Sequence, residues 1–307
     1  MDESLKSSSV LRLGLIGLDT SHVKLFSELL MNPDHPHYVP GARIVAAFSG
    51  GSPDVQVSAN RVEGYKQELR TAYGIEMLDS PEAVAEQVDG LLLTAVDGRT
   101  HPELFRRIAP FGKPTFVDKP FAVSQSDSQG MAEVASRYGL SWMSSSVRRY
   151  AASLVEALAS LEGGEVVGAE AYGPLDLLPE LPDWYWYGIH IVETAYAALG
   201  TGCKKVTATA DQRQEVVTGV WGDGRTVQLR GNRGPNNNHG LLLHRQRGTV
   251  WLDTAVEQKS KYATLLERLL VFFQSGVPDI APEETLELIR FIEAVNESRL
   301  TGKTVYL

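Results

Sequence analysis

The chain has 307 residues, enough for two domains or one large one, with an ample core either way. Hydrophobic residues make up 43% and charged residues 22%, an ordinary balance for a soluble chain, and a net charge of -9 argues against a general affinity for nucleic acid or anionic membrane. Cys203 is the one cysteine, so there is no internal disulfide and no companion thiol for a structural zinc or iron–sulfur site; a reducing compartment fits. Residues 1–10 are polar without an apolar h-region, and no apolar run approaches a membrane span, so the expected location is cytoplasmic.

Residues 11–18 read as a buried strand that closes on Gly17 and Leu18. Asp19, Thr20, Ser21 and His22 follow, then an amphipathic helix carrying Val23, Phe26, Leu29 and Leu30, with Asp19, Thr20 or Ser21 as candidate caps. A strand, a tight turn and a helix N-terminus make an anion site suited to a pyrophosphate. The second strand, residues 43–48, ends in Ser49-Gly50-Gly51-Ser52. NAD-specific folds usually place an acidic residue there to hold the ribose hydroxyls. Its absence points towards NADP, or towards no dinucleotide, with Asp54 as a substitute further along the loop.

Ser80-Pro81-Glu82 is a helix start, and residues 90–96 form an apolar strand suited to burial on both faces. Residues 115–118 form another strand, stopped by Lys119-Pro120 because proline lacks the amide that a central ladder needs. In a parallel sheet this puts Lys119 at the carboxyl end of a strand, where open α/β sheets bind ligands. A lysine held there donates hydrogen bonds and takes part in proton transfer; its bland alternative is a surface lysine before a turn. Ser124 caps a helix that Gly139 ends, and residues 140–145 are a further strand. The alternation of strand and helix argues for right-handed βαβ units in a doubly wound parallel sheet.

The pattern changes near Arg148-Arg149-Tyr150. After a helix over residues 151–161, strands dominate: residues 166–172, 205–210, 215–221, 226–231, 239–246 and 249–253, with Asp223-Gly224 as a hairpin turn. One helix, residues 183–199, interrupts them and two helices, residues 262–274 and 282–300, close the chain. The expected architecture is a Rossmann-type doubly wound parallel sheet over residues 1–146, followed by an α+β domain over 147–307 whose open sheet is mainly antiparallel; the C-terminal helix is free to pack back towards the first domain. The apolar face of such a sheet needs a partner, so a homo-oligomer is expected through it.

These motifs resemble the Gfo/Idh/MocA family of NAD(P)-dependent oxidoreductases. The likeness runs through Ile16-Gly17, the His101 turn, Gly112-Lys113-Pro114-Thr115-Phe116-Val117-Asp118-Lys119-Pro120, Arg149-Tyr150, Gly188-Ile189-His190-Ile191-Val192-Glu193 and the closing helix. It implies that Lys119 reaches nicotinamide and substrate and that His190 is the acid/base. It also implies that Gly17, Leu18, Thr20, Ser21, His22, Ser49 and Lys119 meet NAD or NADP, while Arg149, Trp186 and Tyr187 meet a sugar, polyol or related small molecule. No metal is expected.

Three positions depart from the family pattern. Asp19 and His22 stand at the second and third places of the glycine fingerprint, and a carboxylate at the second would repel a pyrophosphate unless it turns inward and caps the helix. Trp186 stands four residues before His190, where many members have aspartate; Asp183 or Glu193 are the candidate replacements. Ser49 lacks the ribose-binding carboxylate. These departures keep open a non-catalytic binding protein on the same fold. The cluster from Trp184 to Tyr187 is either a wall for a sugar or packing between domains, and Asn236-Asn237-Asn238-His239 either a polar turn or a cleft lining.

Overall fold

The structure, a computed structural model, describes residues 10–255 and 259–307; the reading of residues 1–9 as carrying no leader lies outside them. Two units alternate along the sequence. The first takes the chain up to Asp118 together with Glu133–Met143 and Leu265–Asp279. The second takes Lys119–Ala132, Ser144–Thr264 and Ile280–Leu307.

The first part of the chain alternates as expected: β1 (Leu11–Ile16), α1 (His22–Met31), β2 (Ala42–Phe48), α2 (Gln56–Ala59), α3 (Val62–Tyr73), β3 (Glu76–Leu78), α4 (Pro81–Gln87), β4 (Gly90–Leu93), α5 (His101–Ile108), β5 (Thr115–Asp118), α6 (Gln125–Tyr138) and β6 (Trp142–Ser145). The strands lie in the order β3-β2-β1-β4-β5-β6, with parallel pairing from β3 across to β5. Leu15, Ile16, Leu92, Phe116 and Val117 are fully buried because helices cover both faces. A Cβ on Gly14 would stand 2.4 Å from Val84 Cγ1, so this glycine lets α4 lie close on β1. Ser80 Oγ accepts from Ala83 N at 3.1 Å, the cap that the sequence announces. The strand order reverses at β1 and β4, which makes the carboxyl edge between them the switch point where such sheets bind ligands.

β4 stops at Leu93, short of the expected residues 90–96. Thr94 N still reaches Ile16 O, but Val96 N donates to the Asp19 side chain, so the backbone there serves the β1–α1 turn.

The later chain runs α7 (Ala152–Ala159), β7 (Val166–Pro174), α8 (Gly188–Leu199), β8 (Cys203–Ala210), β9 (Gln214–Trp221), β10 (Thr226–Asn232), β11 (Gly240–Arg245), β12 (Gly248–Asp253), α9 (Lys261–Ser275), α10 (Pro282–Thr301) and β13 (Val305–Tyr306). Its sheet has the order β12-β11-β7-β10-β9-β8-β13. β7 and β10 pair in parallel and the other neighbours are antiparallel, so the sheet is mixed but mainly antiparallel. α8 and α10 pack on one face, over Ala171, Val217, Val227 and Leu229. The opposite face is open, with Tyr172, Val216 and Leu242 among Glu170, Gln228 and Arg230. No helix among the described residues is long and apolar enough to cross a membrane.

The single helix expected over residues 183–199 is broken. A 3-10 turn, Asp183–Tyr185, precedes α8, and Asp183 has φ +27°. The cause is tertiary. Trp184 Nε1 donates to the buried Glu215 Oε2 at 2.6 Å, and the Trp184 ring lies so near Gly188 that a Cβ there would be 2.5 Å from Cε3.

Candidate active site

In the first unit the turn from β1 into α1 is built around Gly17. Its φ is +92°, and a Cβ would stand 2.4 Å from Ala95 N, so a larger residue is shut out on two counts. Gly17 N and Leu18 N donate to Phe48 O and Ser49 O at 3.0 and 2.8 Å, which ties the turn to the end of β2. Asp19 is fully buried and accepts from Ser58 Oγ at 2.6 Å and Val96 N at 2.9 Å. Its carboxylate therefore turns inward, but it does not cap α1; the residue at the cap is Ser21, with no side-chain bond. Burial raises the Asp19 carboxyl above its usual value, against the lowering effect of the bonds from Ser58 and Val96.

His22, at the start of α1, lies with Nδ1 2.5 Å from Asp118 Oδ2, the last residue of β5. The fingerprint histidine and the aspartate before Lys119 thus form one buried pair. Asp54, the substitute considered for the ribose carboxylate, pairs with Arg99 at 2.8 Å. Arg99 also grips Asp97, which Ser52 Oγ reaches at 2.7 Å. Although burial opposes it, the hydrogen bonds from Arg99 and Ser52 hold the Asp97 carboxyl below its usual value.

The second unit begins with Lys119, joined by one peptide bond to Asp118. Lys119 is 9% exposed. Its Nζ lies 3.4 Å from Trp186 O and 5.0 Å from the centroid of the Trp186 ring, so the residue at the usual aspartate position engages the lysine through a carbonyl and a π face. Trp186 meets Tyr187 edge-on at 5.6 Å between centroids, and Tyr187 meets His190 at 5.7 Å. Ring contacts thus run from Trp186, where Lys119 sits, to His190, with His239 next at 6.4 Å.

His190 Nδ1 lies 2.6 Å from Ser146 Oγ. Neither candidate carboxylate is the partner of that nitrogen. Asp183 pairs with Arg299. Glu193 Oε1 accepts from Ser146 N at 2.9 Å, and its Oε2 pairs with Arg149 Nε at 2.9 Å. Arg149, expected to meet substrate, has its guanidinium between Glu193 and Glu284 inside the unit. Burial opposes its charge, yet the two carboxylates raise its pKa; burial raises that of Glu193.

Three partners in these groups escaped the sequence reading: Ser58 for Asp19, Asp118 for His22 and Ser146 for His190. Ser146 carried a usable signal, since it directly follows the strand β6, as Lys119 follows β5. His239 falls in the Asn236–His239 stretch, where Asn238 N does turn back to Asn236 Oδ1 at 3.1 Å, but His239 itself is buried. Burial, with Arg148 and Lys261 nearby, lowers its pKa to about 3.

No protein-family model matches the sequence, and no curated protein matches it. Solved structures match it in fold. An apo scyllo-inositol dehydrogenase from Lactobacillus casei superposes with a TM-score of 0.79 at 12% identity, over 98% of this chain and 99% of that one. A myo-inositol dehydrogenase from Corynebacterium glutamicum gives 0.77 at 18% identity, over 97% and 99%. An oxidoreductase from Agrobacterium radiobacter, in complex with NAD+, L-tartaric acid and magnesium, gives 0.74 at 16% identity, over 97% and 98%. The chain therefore has the fold of these dehydrogenases, a Rossmann-like unit followed by a unit on a mixed sheet. It is the fold that the Gfo/Idh/MocA resemblance implies.

Proposed function

We propose that this protein is an NAD(P)-dependent oxidoreductase that moves a hydride between nicotinamide and a hydroxyl-bearing carbon of a sugar, polyol or related small molecule. The observation that carries the reading is the run of contacts from Lys119 through Trp186 and Tyr187 to His190, which gathers two proton-handling side chains in one unit. The first unit supports it with a turn that fits a nucleotide. Gly17 admits no Cβ, Asp19 is turned inward, and Thr20 and Ser21 stand at the start of α1, where amides and the helix dipole favour phosphate.

When bound, the nicotinamide supplies the hydride chemistry. The chain supplies position and the proton. Lys119 holds the substrate oxygen with its ammonium, and Trp186 fixes the lysine in place. His190 takes the hydroxyl proton during oxidation and returns it during reduction, acting through Nε2 because Nδ1 faces Ser146. Tyr187 and Trp186 offer ring surface to the apolar face of a sugar or polyol. Arg149 acts at one remove, holding Glu193 and through it the main chain at Ser146.

Thermal unfolding with NAD, NADH, NADP and NADPH tests the reading. A nucleotide at a hundred times its dissociation constant stabilises the native state by about 2.7 kcal/mol. The expected result is a clear shift with one oxidised and reduced pair, with NADP favoured by the absence of a carboxylate at Ser49. Turnover on a member of a polyol and sugar panel should follow, and should be lost in Lys119→Ala. Asp19 at the second fingerprint position favours a second reading, a binding protein without turnover. No shift with any nucleotide, in protein shown to carry none, would decide for it.

A further inference from the structure

Ser146 is fully buried at the start of the 3-10 turn Val147–Tyr150, and α8 holds it at two points. Its Oγ lies 2.6 Å from His190 Nδ1, and its N–H donates to Glu193 Oε1 at 2.9 Å. His190 and Glu193 are three residues apart, so they share one face of the helix. Glu193 is itself fixed by Arg149, which also pairs with Glu284 at the start of α10. A serine gripped by its side chain and its main chain has little freedom to leave the imidazole.

We infer that Ser146 is a positioning residue that sets the ring orientation of His190, engaging Nδ1 and leaving Nε2 as the nitrogen that exchanges a proton with substrate. The inference rests on the proposed acid/base role of His190 and names the group that makes it workable. A serine hydroxyl carries one donor and two acceptor sites. Arg148 N donates to Oγ at 3.1 Å and fills one acceptor site. One lone pair and the hydroxyl proton remain for Nδ1. In the base form, Nδ1–H donates to that lone pair and Nε2 carries no proton. After proton uptake, the imidazolium keeps the same Nδ1–H bond. If the ring instead carries its proton on Nε2, the hydroxyl rotates and donates to Nδ1. A carboxylate partner would only accept, and would stabilise the imidazolium by charge. Serine holds the ring in either tautomer and adds no charge. Glu193 is paired with Arg149, Tyr187 and His239 meet the ring edge-on, and Arg148 stands beside Ser146 and His239.

The test is histidine NMR on the full chain, with His190 assigned by loss of its signal in His190→Gln. Titration midpoint and ring-nitrogen shifts are compared in wild type, Ser146→Ala and Ser146→Thr, all checked for native circular dichroism. Loss of the hydroxyl should lower the midpoint by about half a pH unit or more and move the tautomer ratio, because the imidazolium loses its acceptor. Threonine should restore both. With an active substrate, the acid limb of the kcat profile should shift by the same amount, and kcat should fall more than KM rises. A folded Ser146→Ala protein with an unchanged midpoint and tautomer ratio would overturn the inference. The NMR readout needs no turnover, so failure of the oxidoreductase reading and failure of this one are separable.

Discussion

Ser58 Oγ donates to Asp19 Oδ2 at 2.6 Å, and this bond accounts for a carboxylate at a place in the fingerprint that favours glycine. Charge on Asp19 is disfavoured by burial, so the native state binds its proton more tightly than the unfolded chain does. The sign follows: stability falls as pH rises from about the ordinary value of 3.8 through the raised native value, and the loss persists at neutral pH. Asp19→Asn removes the titration while keeping an acceptor for Val96 N. Its stability should change less between pH 4 and pH 7 than that of wild type, and nucleotide should bind at least as tightly. Urea unfolding at both pH values and a nucleotide titration check this; weaker binding in Asp19→Asn would show that the carboxylate contributes to the site.

Arg149 gives a second prediction. Its guanidinium compensates Glu193, which is 4% exposed. Removing one member of such a pair strands the other, at a typical loss of about 3–5 kcal/mol. Arg149→Met should lose stability on that scale near neutral pH. Burial already raises the Glu193 carboxyl, so without the arginine it takes up a proton more readily still. The loss should therefore be smaller at pH 5 than at pH 8, and Arg149→Met combined with Glu193→Gln should recover part of it. Chemical denaturation of the three proteins at both pH values measures the effect. An equal loss at both would mean that packing, not charge, is what Arg149 supplies.

The extent to which these groups were readable follows from the range of the interactions. The alternation of strands and helices over residues 11–145 was legible because its signals are local: apolar strands, Ser80-Pro81 at a helix start, and Lys119-Pro120 ending a strand. The antiparallel pairs β9–β10 and β11–β12 were legible for the same reason, each joined by a short turn. Parallel pairing of β7 with β10 was not, because 51 residues separate the end of β7 from the start of β10 and no pattern in either names the other. Lys119 and His190 stand in recognisable stretches. Ser146 is one serine of the run Ser144-Ser145-Ser146, marked only by its place directly after β6, and nothing local names the ring 44 residues on that it meets. The helix break at Trp186 was hidden in the same way, since it depends on Glu215 lying across the fold from Trp184.

His239 carries a third prediction. Its pKa falls from 6.5 to about 3, chiefly through burial and then through Arg148 and Lys261. It should stay neutral from pH 5 to pH 8, with a flat NMR titration in that window. A depressed native value means that stability is complete above the ordinary 6.5 and is lost as pH falls towards about 3. His239→Gln should have a shallower acid limb of stability than wild type, and its alkaline limb should not move. A pH–rate profile in which His239→Gln alone abolished an inflection near neutrality would place the titrating group at His239 and not at His190.

The open face of the seven-stranded sheet is where we place self-association. Trp251 on β12 is 58% exposed and donates through Nε1 to Tyr172 OH at 2.9 Å, which holds its ring out along the face. Leu242 pairs directly with Trp251, and Val216 lies on the same face. A stable interface buries about 800 Å² on each partner, with aromatic anchors at its centre and polar groups around them. Tyr172 and Trp251 have that character, and Glu170, Gln228 and Arg230 supply the polar groups. Light scattering of the wild-type protein at micromolar concentration should show a dimer or larger species, and Trp251→Glu combined with Leu242→Glu should give a monomer with an unchanged circular dichroism spectrum. These positions lie on the face away from α8, so His190 and its partners should be undisturbed in the monomer. A wild-type protein that is monomeric throughout that range would sink the assignment. A monomeric variant that loses its nucleotide-dependent thermal shift would instead show that assembly supports the site.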